Sequence, residues 1–105
     1  MKTPLRIQKD REYENPKKSL LELENMCKGM ANHYRIQTLF ILYQHSGLTL
    51  DQITELLGGN FKTISVHVKR LSSAGLISKK YKGNFVQHSL TESGKKTVLF
   101  LKSFI

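Results

Sequence analysis

The chain has 105 residues, with 17 Lys and Arg against 8 Asp and Glu, a formal net charge of +9. That length fits one small domain, because a second core could not be filled. A hydrophobic share of 39% beside 24% charged residues argues against wholesale disorder. The longest apolar run, Leu39 to Tyr43, falls far short of the ~20 residues a membrane span needs, so no membrane partner is expected. Met1 to Arg11 contains no apolar stretch of the secretory kind, and a single cysteine, Cys27, cannot close an intrachain disulfide. Both readings fit a cytoplasmic protein in a reducing compartment.

In chain order, residues 1–18 hold Pro4, Pro16 and nine charged residues without a sustained period. They read as a basic N-terminal extension, leaving residues 19–105 as one folded domain. Ser19-Leu-Leu-Glu22 has the form of a capping box, so a helix begins there. At about 100° per residue, Leu20, Leu23, Met26, Cys27, Met30 and Ala31 share one arc, opposite Glu22 and Lys28. Asn32 caps a second helix running to about Gln44, with Ile36, Leu39, Phe40 and Tyr43 at core spacing, and Ser46-Gly47 stops it. Thr49-Leu-Asp-Gln52 is a second capping box, flanked by Leu48 and Ile53 as a hydrophobic staple. This third helix is short, ending at Leu57. Gly58-Gly59 then supplies a tight turn and Asn60 a cap for the next helix. Two short helices joined in this way form a helix-turn-helix.

The fourth helix, Phe61 to Ala74, separates into two faces. Phe61, Ile64, Val68 and Leu71 fall within an arc of about 80° and are expected in the core. The opposite stripe holds Lys62, Val66, Lys69 and Ser73, flanked by Ser65 on one side and Thr63 and Arg70 on the other. Short polar and cationic groups of this kind reach phosphates and base edges, and an exposed Val66 suits a thymine methyl. The helix start, Asn60 to Thr63, adds partial positive charge favourable to a phosphate. After Gly75, the segments Leu76–Tyr81 and Phe85–Leu90 are rich in β-formers and joined through Lys82-Gly83-Asn84, a hairpin signal. Lys79, Lys80, Lys82 and Asn84 lie on the first strand and tip, within reach of a minor groove or backbone. Between Leu56 and Thr91 the chain carries six cations and no acid. Charge of one sign gathered on a compact unit points to a phosphate backbone as its partner. A last helix from about Thr91 to Ile105 has Val98, Leu101 and Ile105 on one side and Phe100 and Phe104 on another. Two apolar sides call for a second packing surface, a partner subunit.

Several of these residues also carry plainer readings. Cys27 on its apolar arc reads as a small buried residue rather than a redox switch, with a disulfide across a dimer interface as the other option. His67 lies about 140° round from Lys62, where either a packed histidine or a phosphate contact fits. His33, His45 and His88 are scattered, Met26 and Met30 read as core, and the wing lysines also fit a solvated strand that discourages edge pairing. Glu92 favours the start of the last helix.

These features resemble the ArsR-type winged helix-turn-helix regulators, with MarR-like traits, from Leu20 to about Thr91. The carriers are Ala31-Asn-His-Tyr-Arg-Ile36 leading into Leu39, then Leu48-Thr-Leu-Asp-Gln-Ile53, and above all Thr63-Ile-Ser-Val-His-Val-Lys-Arg-Leu71 with Ala74-Gly-Leu-Ile77. The run from Ser89 to Gly94 is similar to the wing-to-helix junction of MarR-type proteins. The resemblance implies a mostly α fold with a small β-hairpin, about five helices plus a two-stranded wing, in a homodimer that binds double-stranded DNA at an inverted-repeat operator. It places Lys62, Thr63, Ser65 and Val66 against the operator and the wing on its flank. The first and last helices would form the dimer interface, through Leu20, Leu23 and Cys27 and through Val98, Leu101, Phe104 and Ile105. Many members sense metals through cysteines on the third helix or His and Asp on the last. This chain has neither pattern, so no metal or cofactor is expected, and the sequence names no effector.

A dimeric transcription regulator, in the sense of a repressor, accounts for motif, charge and two-sided last helix together. The alternatives are a winged-helix module for protein interaction, or one for nonspecific nucleic-acid binding, since fold does not fix function. No phosphate loop, metal cluster or nucleophile with a base is visible, so the chain is not expected to be an enzyme.

Overall fold

A computed structural model describes residues 18–105, and the N-terminal extension therefore falls, Lys18 apart, outside the described residues. The elements are α1 (Leu20–Met30), α2 (His33–Gln44), α3 (Leu50–Leu57), α4 (Phe61–Ser73), β1 (Ile77–Lys82), β2 (Phe85–Leu90) and α5 (Glu92–Lys102). Their starts follow from side-chain oxygens placed to satisfy free helix N–H groups. The Asn32 carboxamide oxygen accepts from the Tyr34 and Arg35 amides at 2.9 and 3.2 Å. Asn60 does the same for Lys62 and Thr63, also at 2.9 and 3.2 Å. At Thr49 both halves of the capping box form: the Gln52 amide donates to Thr49 Oγ1 and the Thr49 amide to Gln52 Oε1. The Ser19 box is only half made. Ser19 Oγ accepts from the Glu22 amide, but the Glu22 carboxylate takes the serine hydroxyl instead of the Ser19 backbone N–H.

Helices α2, α3 and α4 surround a core of Leu39, Leu42, Ile53, Ile64, Val68 and Leu71, closed by Leu76, Ile77 and Leu90 at the foot of the hairpin and by Val98 of α5. Three apolar assignments change. On α2 the core position is Leu42, while Tyr43 is exposed and carries Lys102 Nζ 5.1 Å from its ring centroid. Phe61 is 48% exposed: a helical wheel gives azimuth but not depth, and Phe61 stands at the first residue of α4, on the groove toward the wing. Cys27 is exposed, so it is not part of the core.

The two strands pair antiparallel from Ile77 opposite Leu90 to Lys82 opposite Phe85. This leaves the two-residue loop Gly83-Asn84, in which Gly83 takes φ +58° as a primed hairpin turn requires. A third, one-residue strand completes the wing, because Leu48 bridges His88: the His88 amide donates to Leu48 O at 2.7 Å and the Gly47 amide to His88 O at 2.9 Å. His88 is 4% exposed and its Nδ1 lies 3.0 Å from the same Leu48 carbonyl. A carbonyl only accepts, so Nδ1 carries the proton. His88 is thus a structural tie between the wing and the residues leading into α3.

Candidate nucleic-acid interface

α4 lies across the domain with Ile64, Val68 and Leu71 turned inward, which forces Lys62, Val66 and Lys69 outward; all three are exposed. Val66 is 53% exposed, an apolar group held in water at the centre of a cationic stripe. Thr63, Arg70 and Ser73 are exposed beside it and Ser65 is half-buried. Asn60 is exposed, but its carboxamide oxygen is engaged in capping, which leaves only the amide NH₂ for a partner.

His67 turns away from this face. Its ring stacks on Tyr34 of α2, centroids 6.0 Å apart and planes 19° from parallel, and its Nδ1 is buried without a partner. Burial, then the charges of Arg35, Arg70 and His33, pushes its pKa below the usual histidine value. Of the two readings open for His67, the packed, half-buried ring is the one observed, and His67 leaves the set of outward-facing residues.

The wing lysines Lys79, Lys80 and Lys82 are all exposed but do not form one row. Alternation along β1 puts Lys79 and Tyr81 on the face shared with Ile77, opposite His88 and Val86, while Lys80 and Lys82 project from the other. Lys79 and Tyr81 accordingly line a groove of about 310 Å³ between wing and helix-turn-helix, together with Thr49, Phe61, Asn84 and Phe85. Phe61, Tyr81 and Phe85, at 48, 74 and 65% exposure, are aromatic surface at this cleft that charge counting overlooks. The alternation of β1 and the hairpin tip were the signals available for Tyr81 and Phe85.

Exposed apolar residues gather elsewhere on the two terminal helices. Leu20 and Leu21 of α1 are exposed, as are Leu99 and Phe100 of α5 and Phe104 and Ile105 beyond it, with Phe100 and Phe104 edge to face at 5.1 Å. Leu23 and Leu101 are half-buried. Val98 is fully buried in the subunit core, so its expected place in a dimer interface is withdrawn: its azimuth was read correctly as apolar, but the neighbour it meets belongs to its own chain. No helix among the described residues is long and apolar enough to cross a membrane.

No protein-family model and no curated protein matches the sequence. Solved structures do match. A homodimeric winged helix-turn-helix DNA-binding domain from Mycobacterium bovis, a possible ArsR-family transcriptional regulator, superposes with TM-score 0.74 at 23% identity, covering 81% of this chain and 79% of that one. HlyU from Vibrio cholerae gives TM-score 0.74 at 22% identity over 85% of this chain and 97% of its own. MepR, a transcription regulator of the Staphylococcus aureus multidrug efflux pump MepA, gives 0.67 at 25% identity over 81 and 70%. The fold is that of winged helix-turn-helix domains, and its structural neighbours include DNA-binding transcription regulators.

Proposed function

We propose that this protein is a sequence-specific, double-stranded-DNA-binding transcription regulator, a repressor acting as a homodimer. The observation that carries the reading is α4: its outward face presents Lys62, Val66 and Lys69 to solvent, in a stretch from Leu56 to Thr91 that contains no acid. Phosphates would be met by Lys62, Lys69, Arg70 and the wing lysines, giving salt-sensitive affinity through counterion release. Thr63, Ser65 and Val66 would read base edges in the major groove, and the wing would lie on the flank. The exposed apolar residues of α1 and α5 support a symmetric pairing of subunits. Two recognition helices would then enter successive major grooves ~34 Å apart on an inverted repeat.

The test is Lys69→Ala titrated against a specific and a scrambled duplex over a range of salt. The expected result is weaker binding to both, with the log-log salt slope reduced by about 1. Unchanged affinity and slope would remove Lys69 from the interface and with it one of the cations that carry the proposed face.

A further inference from the structure

Gly29 is the one buried residue of α1. A Cβ at this position would run into the Cβ of Ala74, so the missing side chain is what lets α1 lie directly against the end of α4. That close approach leaves a groove of about 540 Å³ between the two helices. Asn25 and Lys28 line it from α1, and Val66, Lys69, Arg70 and Ser73 from α4. Because Val66, Lys69 and Ser73 are the outward stripe of α4, the groove opens along the face assigned above to DNA. Its charged lining is three cations and no acid. The ionic partner of Lys28 is Glu24, one helical turn earlier, an exposed pair of a kind that contributes little and exchanges readily for another anion.

Behind the groove the positive charge continues. Arg35 is 9% exposed, its Nε has no partner, and its NH2 donates only long bonds, 3.5 and 3.4 Å, to the carbonyls of Lys28 and Ala31. Burial and then the charge of Arg70 push its pKa down. Among the described residues no carboxylate lies within ion-pair distance of Arg35 or Arg70. A cationic groove beside a buried guanidinium that no carboxylate of the described residues offsets is a place where an anion relieves repulsion instead of adding a contact only.

We propose that this groove is a track for the DNA backbone, in which a phosphodiester of the strand bordering the major groove is held by Lys28 and Asn25 of α1 together with Lys69 and Arg70 of α4. The inference rests on the DNA-binding reading of α4. It gives α1 a role beyond subunit pairing: its Asn25 and Lys28 side reads backbone position.

The experiment compares the full chain with Lys28→Gln and Glu24→Gln, titrating each against duplex DNA over a salt series, with thermal melts as folding controls. Loss of one phosphate contact lowers the salt slope by about 0.9, which amounts to about fivefold in affinity at ~0.15 M salt, equally for specific and scrambled duplexes. Glu24→Gln, which frees Lys28 and removes an acid near the groove, is expected to tighten binding. Were the Glu24–Lys28 pair merely a helix brace, both variants would shift affinity in the same direction, and that result overturns the proposal. So does an unchanged slope in Lys28→Gln. Absence of any salt-sensitive duplex binding by the wild type would instead defeat the functional reading beneath it.

Discussion

Replacing Gly94 by alanine probes how the wing is anchored to the body. Gly94 is buried in the first turn of α5, and an added Cβ would overlap the backbone carbonyl of Leu76. The obstacle is main chain, which no rotamer change relieves. That carbonyl already accepts the Thr91 amide at 3.1 Å, Thr91 Oγ1 accepts the Gly94 amide at 3.0 Å, and the same hydroxyl donates to Gly75 O at 2.6 Å. To admit one methyl, α5 must move away from the end of α4 and the start of β1, straining the two bonds from Thr91 to Leu76 O and Gly75 O. Overpacking of this sort costs about 2 to 3 kcal/mol, and for a domain of this size each kcal/mol lowers the melting midpoint by roughly 4 to 8 °C. The expected loss is therefore about 8 to 24 °C in a thermal melt followed by circular dichroism. Gly58→Ala is the control: its φ of +71° penalises a side chain, yet nothing lies within 4 Å of the added atom. Its cost is the left-handed conformation alone, about 1 to 2 kcal/mol. A Gly94→Ala variant melting within about 2 °C of the wild type, against the 4 to 8 °C per kcal/mol scale, would refute the anchoring argument.

The remaining predictions concern pH and assembly. Burial, and then the charge of Lys79, outweigh the Leu48 carbonyl bond and leave His88 with a lowered pKa. His67 is lowered too, by burial and neighbouring cations. Both bind protons more weakly folded than unfolded, so their stability contribution is complete above the ordinary histidine value near ~6.5 and is lost as pH falls below it. Between about pH 7.5 and pH 5 the melting midpoint should decline, and His88→Gln should decline less steeply; parallel slopes would contradict this. Phe104 is 71% exposed in the single subunit. If it packs in a symmetric interface, Phe104→Asp removes two buried rings, at ~1.5 to 3 kcal/mol each, and raises the dimer dissociation constant at least about hundredfold by sedimentation equilibrium. A wild type that sediments as a monomer would contradict the homodimer.

Where local chemistry decides the structure, the chain was readable. Asn32, Thr49, Asn60 and Thr91 each begin the helix they were expected to begin, because a cap is settled within four residues. The outward stripe of α4 followed from angular spacing alone. The misses are those that depend on which element lies opposite. Val98 and Phe61 were both placed on apolar arcs, but one meets the core and the other meets the edge of the wing cleft. Nothing in the residues around Arg35 in the sequence shows that its guanidinium reaches the end of α1 and lies near Arg70 of α4. The groove depends on Gly29 meeting Ala74, residues 45 positions apart, and no periodicity reveals that contact. His88 and the division of the wing lysines were legible in principle, since period two along β2 and β1 sorts them to opposite faces.

The measurement that bears most directly on a sequence-specific regulator is selection of bound sequences from a random duplex library, followed by titration of the winner and a scrambled duplex at two salt concentrations. The account predicts a palindromic winner bound at least ~10³-fold more tightly than the scramble. Equal, salt-sensitive binding to both duplexes would contradict it in favour of a nonspecific nucleic-acid binder, and no binding to either in favour of a protein-interaction module.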